Sequence, residues 1–204
     1  MLLHWSPRSP YVRKVMIAAY EMGLSDHLHC VRTVVGGTTP HLELMRENPL
    51  GKIPTLMLTD GTIIYDSPVV CEYLDTLHAG PKLFLAGADR ILALRRLALG
   101  DGMLDIALAL LSEKFRPTEA QSQPHIDLWI GKLQACIPAL EQEADALAAS
   151  VFSIGHIAIG IALAYLDFRF AELNWRDGHP KLTAWHATFN ARASVQANLP
   201  VDDR

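Results

Sequence analysis

The spacing of apolar residues changes about eighty residues into this 204-residue chain. Before that point, short apolar runs alternate with segments in which apolar residues recur every three or four positions. This pattern predicts a strand, a helix and a strand, then a short helix or irregular segment, then two strands and a helix. Asp60-Gly61 lies between the last two strands and is typical of a hairpin turn. A hairpin that follows a βαβ unit predicts a mixed sheet of four strands.

The strands of this first region are predicted at residues 2–5, 27–34, 54–58 and 62–65. Its helices are predicted at residues 10–22, at residues 40–48 and from Ser67 onward. Each full helix follows a Ser-Pro pair, and serine is a favoured N-cap while proline is a favoured first helical residue.

From Arg90 onward the pattern predicts helices only. Residues 126–147 form a long amphipathic pattern that contains Pro138, residues 153–170 are apolar nearly all round, and residues 180–190 predict one more helix. A helix that is apolar on every side belongs in the middle of a bundle. We therefore predict an α/β domain at 1–80, a linker at 81–89 and an all-helical domain at 90–204, with an irregular tail after Ala191.

Composition and charge narrow the possible partners. Half of the residues are apolar, a fifth are charged and the net charge is −4, which is typical of a globular protein. No basic run is longer than Arg95-Arg96, so neither nucleic acid nor an anionic membrane is indicated as a partner. The longest uncharged apolar run is about half of the roughly 20 residues that a membrane helix needs, and no signal peptide pattern is present. We expect a cytoplasmic location.

The cysteines and histidines do not predict a metal site. The three cysteines are widely spread, without a C-x-x-C pair, and are expected to be reduced thiols. His27, His29 and Cys30 lie close together, but no fourth ligand accompanies them.

The first candidate site is Ser9-Pro10, within the stretch HWSPRSPYVRKV. Ser9 can simply cap the helix that follows. The start of a helix also offers free N–H groups and the positive end of the helix dipole, which together favour a bound anion. The hydroxyl group can in addition donate one hydrogen bond to a thiolate.

Two further motifs add possible contacts to a ligand. In NPLGKIPTL, a cis Ile53–Pro54 bond would turn the N–H and C=O groups of Ile53 outward to pair with a peptide, although the stretch alone favours an ordinary trans proline at a strand edge. In YDSPVV, the Ser67 hydroxyl can bind a carboxylate and Asp66 can bind an ammonium group. Taken alone, this stretch favours a plain helix cap with a solvated aspartate. In the predicted sheet the three motifs meet at one edge, which outlines a binding site for glutathione.

With these motifs the chain resembles the cytosolic glutathione transferases of the bacterial type. The resemblance extends to SIGHIAIGIALAYLDFR and GHPKLTAW in the second half. It implies a thioredoxin-like first domain, a helical second domain, a homodimer, and detoxification of small hydrophobic electrophiles. By position, it implies that Ser9 stabilises the thiolate and that Ile53 with cis-Pro54 holds the cysteinyl backbone. It further implies that Asp66 with Ser67 holds the γ-glutamyl end and that Lys52 lies near a carboxylate of glutathione.

Two departures from the family pattern bear on function. Ser9 stands where the thiol-transferase branches of the family have cysteine. Without that cysteine, conjugation or isomerisation is favoured over mixed-disulfide chemistry with glutathione. Ser6 is an alternative to Ser9 as the residue that stabilises the thiolate. His156 replaces the usual aspartate of the capping box that begins at Ser153. A neutral imidazole can still accept from the Ser153 N–H, so we expect an effect on stability and not on chemistry. The alternatives to a transferase are a non-catalytic or regulatory binding protein and a glutathione-dependent reductase or peroxidase.

Overall fold

A computed structural model describes residues 1–203, which form two compact units. The first unit comprises residues 1–90 together with the described residues from Ala193 on, and the second comprises residues 91–192. This arrangement differs from the predicted domains at the C-terminal end, where the tail belongs with the first unit. The tail also contains a short helix, α8 (Ala193–Gln196), so the prediction of a wholly irregular tail is wrong.

The first unit is built on the predicted mixed sheet. Its strands are β1 (Leu2–Trp5), β2 (His29–Arg32), β3 (Thr55–Met57) and β4 (Ile63–Ile64). Their order is β2-β1-β3-β4, with β1 parallel to β2 and antiparallel to β3, and β3 antiparallel to β4. The predicted hairpin is confirmed: Gly61 has φ 88°, and the Thr62 N–H donates to the Asp60 carboxylate at 2.9 Å.

The helices of this unit are α1 (Pro10–Glu21), α2 (Leu42–Glu47) and α3 (Ser67–Thr76). Helix α1 begins after its predicted cap Ser9, whereas the N-cap of the third helix is Asp66 and not the predicted Ser67. Helix α1 packs against α3, and its apolar face, including Val12 and Val15, is fully buried. Gly23 follows α1 with φ 69°, a conformation that favours glycine and ends the helix.

The tail packs with the first unit through specific polar contacts. The Ser194 hydroxyl donates to Glu21 at 2.5 Å, and the Arg13 Nε donates to the Asn198 carbonyl at 2.7 Å. Asp203 forms ion pairs with Arg8 at 2.9 Å and with Arg32 at 2.5 Å.

The second unit is a helical bundle. Its helices are α4 (Gly87–Lys114, whose first residues belong to the first unit), α5 (Gln123–Ala149), α6 (Ile154–Arg169) and α7 (Pro180–Asn190). Helix α5 continues through Pro138, and α6 is buried along nearly its whole length, as predicted. A Cβ atom added at Gly155 would lie 2.6 Å from the Ala93 carbonyl oxygen, so this glycine permits the close approach of α4 and α6. No helix within residues 1–203 is both long and apolar enough to cross a membrane.

Candidate functional site

The sheet register brings the three sequence motifs to the same edge. His4 of β1 pairs with Thr55 of β3, and Leu56 pairs with Ile64 of β4. Because β3 is antiparallel to both neighbours, it begins at the edge where β1 and β4 end. The loop before α1, the Ile53–Pro54 bond and the start of α3 therefore follow one another along this edge.

Ser9 occupies the N-cap position of α1. Its hydroxyl oxygen accepts a hydrogen bond from the Val12 N–H at 3.2 Å, and its own N–H donates to the Ser6 carbonyl at 3.2 Å. The cap uses an oxygen lone pair and leaves the hydroxyl proton to be donated. Capping the helix and stabilising an anion are therefore compatible roles for Ser9.

Ser6, the alternative residue, has a different environment. Its side chain is buried, with 5% exposure, and its hydroxyl oxygen accepts from the Arg8 N–H at 3.4 Å. Ser9 is partly exposed, so it is the more accessible of the two hydroxyl groups.

The segment before β3 is fixed by a buried asparagine. The Ile53–Pro54 peptide bond is cis, as the resemblance implies and contrary to the preference from the stretch alone. Asn48, with 1% exposure, donates to the Lys52 carbonyl at 3.1 Å and to the Thr55 hydroxyl at 2.9 Å. The Lys52 side chain is exposed. Asn48 is the first residue of the NPLGKIPTL motif, yet no role for it was predicted from the sequence.

Ile53 also links this segment to α1. Its side chain is buried in an apolar cluster with Val12 of α1 and Leu44 of α2. The backbone of Ile53 is thereby held close to the first turn of the helix that Ser9 caps.

Asp66 and Ser67 mark the start of α3. Asp66 is exposed and occupies the N-cap position, while Ser67 is the first helical residue and is buried, with 1% exposure. The Ser67 hydroxyl accepts a hydrogen bond from Lys14 Nζ at 3.1 Å. Asp66 therefore occupies the cap position. Ser67 lies inside the helix, and the hydrogen bond from Lys14 orients its hydroxyl group.

Lys14 is a candidate residue that sequence reasoning missed. It lies on α1, is fully buried, and its ammonium group is 5.3 Å from the centre of the Tyr11 ring. A lysine within the apolar pattern of α1 was the available signal, since lysine is almost never fully buried without a partner. Its position adds a positive charge beside Ser67.

The chain's own cysteines are poorly suited to act as nucleophiles. Desolvation raises the pKa of both Cys30 and Cys136, which favours the neutral thiol, and Cys71 is buried. A reactive thiolate at the Ser9 site would accordingly come from a bound ligand.

Comparison with known proteins agrees with this arrangement. Two family models match, the glutathione S-transferase N-terminal domain over residues 8–77 and the C-terminal domain over residues 123–188. A glutathione transferase family member from Pseudomonas fluorescens Pf-5, solved with bound glutathione, is 37% identical with a TM-score of 0.95, covering 98% of this chain and 99% of that one. Another structure from that species, with bound S-(propanoic acid)-glutathione, is 36% identical with a TM-score of 0.90, covering 99% and 100%.

A curated relative has a similar extent. The uncharacterized GST-like protein YibF of Escherichia coli K12 is 29% identical over 205 residues, and the match covers 98% of each chain. The first unit has the thioredoxin-like fold of this class and the second is its helical domain. The chain belongs to the glutathione S-transferase family.

Proposed function

We propose that this protein is a glutathione transferase that activates the thiol of glutathione as a thiolate for attack on a small hydrophobic electrophile. The observation on which this depends most is the partly exposed Ser9 hydroxyl at the start of α1, on the same sheet edge as Ile53 and Ser67. In this proposal Ser9 donates a hydrogen bond to the sulfur. The Ile53 backbone pairs with the cysteinyl residue of glutathione.

The ends of glutathione are assigned to the remaining site residues. Ser67 and the N-terminal N–H groups of α3 receive the γ-glutamyl carboxylate, and Asp66 receives its ammonium group. Lys52 faces the second carboxylate at the other end of the tripeptide. Pro54 lies between Ile53 and Thr55, the first residue of β3.

The energy that this activation requires is within reach of the site. A free thiol with a pKa near ~8.5 is only about 3% ionised at pH 7. Lowering that pKa by about two units corresponds to roughly 2.7 kcal/mol. One charge-assisted hydrogen bond supplies about 1.5–3 kcal/mol, and the helix dipole adds about 0.3–1 kcal/mol.

Conjugation is favoured over disulfide chemistry. The residue before Pro10 is serine, so no protein thiol is available there to form a mixed disulfide with glutathione. The similar protein with bound S-(propanoic acid)-glutathione contains a thioether of glutathione, which is the kind of product that conjugation forms.

The test measures binding and product together. Glutathione binding is followed by calorimetry, and turnover with an aryl halide is followed by mass spectrometry of the product. We expect a thioether, and we expect Ser9→Gly to lower kcat/KM by roughly 10- to 100-fold, the equivalent of one charge-assisted hydrogen bond. Glycine largely preserves the cap, so the loss reports on the hydroxyl group.

Other outcomes would favour the alternatives. Glutathione disulfide as the product would indicate a reductase or peroxidase. Binding without turnover, or no binding, would indicate a non-catalytic or regulatory protein. Full activity in both Ser9→Gly and Ser6→Ala would refute the serine-assisted mechanism.

We also propose a cytoplasmic homodimer, which the resemblance implies. Helix α3 and its C-cap residue support an interface, because Val69 is 50% exposed and Leu77 is 45% exposed. Sedimentation of the wild type should show a dimer, and Val69→Glu should shift it toward the monomer. A wild-type monomer would contradict the proposal.

A further inference from the structure

The turn that precedes α1, residues 6–9, determines where the Ser9 hydroxyl lies. The Ser9 N–H closes this turn by donating to the Ser6 carbonyl at 3.2 Å. Within the turn, the Arg8 N–H donates to the Ser6 hydroxyl at 3.4 Å. These bonds do not involve the Pro7 carbonyl or the Arg8 guanidinium, so both groups can be held from outside the turn.

The C-terminal segment of residues 198–203, which we call the strap, holds both of these groups. The Val201 N–H donates to the Pro7 carbonyl at 3.4 Å. One carboxylate oxygen of Asp203 accepts from the Arg8 Nε at 2.9 Å. The strap and the turn belong to the same compact unit. The turn is therefore fixed from the strap at its backbone and at a side chain.

The strap also holds the two elements that the turn connects. The other carboxylate oxygen of Asp203 accepts from the Arg32 Nε at 2.7 Å, and Arg32 pairs in the sheet with Trp5, the last residue of β1. At the other end of the strap, the Asn198 carbonyl accepts from the Arg13 Nε of α1 at 2.7 Å. Burial lowers the pKa of Arg13 to about 10, so its guanidinium is still charged at neutral pH and donates a strong hydrogen bond.

Asp203 is the residue of the strap that joins the most groups. An isolated ion pair on a protein surface contributes little to stability, whereas pairs that share a group form a network and contribute more. Asp203 is shared by Arg8 and Arg32 at N–O distances of 2.5–2.9 Å. The three side chains are only 23–34% exposed. Removing the Asp203 carboxylate would therefore free the turn from β2 and from the strap together.

We propose that the strap positions the Ser9 hydroxyl for its hydrogen bond to the sulfur of glutathione, and that Asp203 is its main positioning residue. This inference rests on the proposed function, in which Ser9 stabilises the thiolate. A hydrogen bond weakens steeply as its angle departs from linearity. A turn that is free to move would hold the hydroxyl in the productive geometry for less of the time. Asp203 thus acts on the thiolate through Arg8 and the turn, without touching glutathione.

A direct effect of the Asp203 charge on the thiolate has the opposite sign. Removing a nearby negative charge favours the ionised thiol, so charge alone predicts that Asp203→Ala makes the bound thiol more acidic. Loss of positioning predicts a less acidic thiol, because the Ser9 hydroxyl then donates less well. The direction of the change distinguishes the two explanations.

The test makes two measurements on the full-length wild type and Asp203→Ala. Hydrogen–deuterium exchange of a peptide that covers residues 6–12, without glutathione, reports how firmly the turn is held. We expect this exchange to be several-fold faster in Asp203→Ala. Ultraviolet difference absorbance of bound glutathione, titrated against pH, reports the ionisation constant of the thiol. We expect this constant to fall by about two- to fivefold, the range that a partly exposed ion pair accounts for.

Two further variants show that the effect comes from the contacts of the strap. Asp203→Glu keeps a carboxylate that can reach the two arginines, so it should restore most of the exchange protection and of the thiol ionisation. Asp177→Ala removes an exposed aspartate of the second unit and is the matched control. It should behave as the wild type does in both measurements.

Three results would overturn the proposal. They are unchanged exchange of residues 6–12 in Asp203→Ala, an unchanged or more acidic bound thiol in that variant, and failure of Asp203→Glu to restore either measurement. Glutathione that stays a thiol when bound to the wild type would refute the proposed function and this role with it. That result is distinct from a thiolate that forms in the wild type and persists in Asp203→Ala, which would refute the role of the strap alone.

Discussion

Helix α6 is expected to make the stability of the helical unit sensitive to acid, because its capping box contains histidine. His156 is 3% exposed. Its Nδ1 accepts from the Ser153 N–H at 3.1 Å, and its Nε2–H donates to the Leu147 carbonyl at 3.1 Å. Both bonds are satisfied only by the neutral ring with its proton on Nε2. Protonation would add a hydrogen to Nδ1, which would then face the Ser153 N–H and could no longer accept from it.

Burial is the main reason that the pKa of His156 is lowered. The hydrogen bond to the Leu147 carbonyl raises this pKa, and the charges of Arg96 and Arg192 lower it. Glu143 opposes the two arginines by raising the pKa. The net direction is downward, so the folded protein keeps the imidazole neutral at a pH where the unfolded chain binds a proton.

The direction and size of the effect follow from this difference. Above a pH of about 6.5 the imidazole is neutral in both states and contributes no pH dependence. Below it, the unfolded chain binds a proton that the folded chain does not, so stability falls as the pH falls. One proton is worth at most about 1.4 kcal/mol per pH unit. At about pH 5.5 the loss from His156 is therefore up to about 1.4 kcal/mol.

The assay is urea denaturation, followed by tryptophan fluorescence, at about pH 7.5 and about pH 5.5. In His156→Asn, an amide oxygen can still accept from the Ser153 N–H but does not titrate. Between the two pH values, the free energy of unfolding should fall less in this variant than in the wild type. The difference between the two falls should be up to about 1.4 kcal/mol. His125→Asn removes an exposed histidine of α5 and serves as the control. An equal loss in the wild type and His156→Asn would refute the reasoning.

Three further substitutions have defined expected effects. Lys14→Met should weaken glutathione binding roughly tenfold or more in calorimetry, because Lys14 Nζ donates to Ser67; unchanged affinity would remove Lys14 from the site. Asn48→Ala deletes three side-chain hydrogen bonds and should lower the free energy of unfolding by about 2–3 kcal/mol in urea, whereas a smaller loss would mean that water replaces them. Gly160→Ala should cost about 1–3 kcal/mol in the same assay, because the added Cβ would lie 2.3 Å from the Phe189 ring. Phe189→Leu should partly restore the stability of Gly160→Ala, and no restoration would contradict that contact.

The elements that sequence predicted well are those decided by local chemistry. The Ser9-Pro10 pair fixes the start of α1, and Asp60-Gly61 fixes the hairpin, because caps and turns involve residues only a few positions apart. The capping box is similar, since a neutral imidazole at His156 can accept from the Ser153 N–H three residues earlier.

Features that depend on distant residues were not predicted. Asp203 joins Arg8 and Arg32, and Arg13 binds the Asn198 carbonyl, although the tail gives no periodic signal. These contacts draw the tail to the first unit, since they satisfy charges and donors that lie on α1 and around it. A single sequence does not show such pairings.

The candidate site was predicted in part. The strand register brings the segments of Ser9, Ile53 and Ser67 to one edge, as expected from the motifs, while the roles of these residues stay predictions. The contact between Lys14 and Ser67 was missed because it depends on the packing of α1 against α3.

The pKa of the bound thiol tests the central proposal most directly. Glutathione is bound to the wild type and to Ser9→Gly, and the ultraviolet difference absorbance of the thiolate is titrated against pH, with Ser6→Ala as the control. We predict that the wild type and Ser6→Ala hold glutathione largely as the thiolate near pH 7, and that Ser9→Gly returns the thiol pKa toward its ordinary value near ~8.5. A bound thiol that keeps this ordinary pKa in the wild type, or a thiolate that persists in Ser9→Gly, would contradict the account.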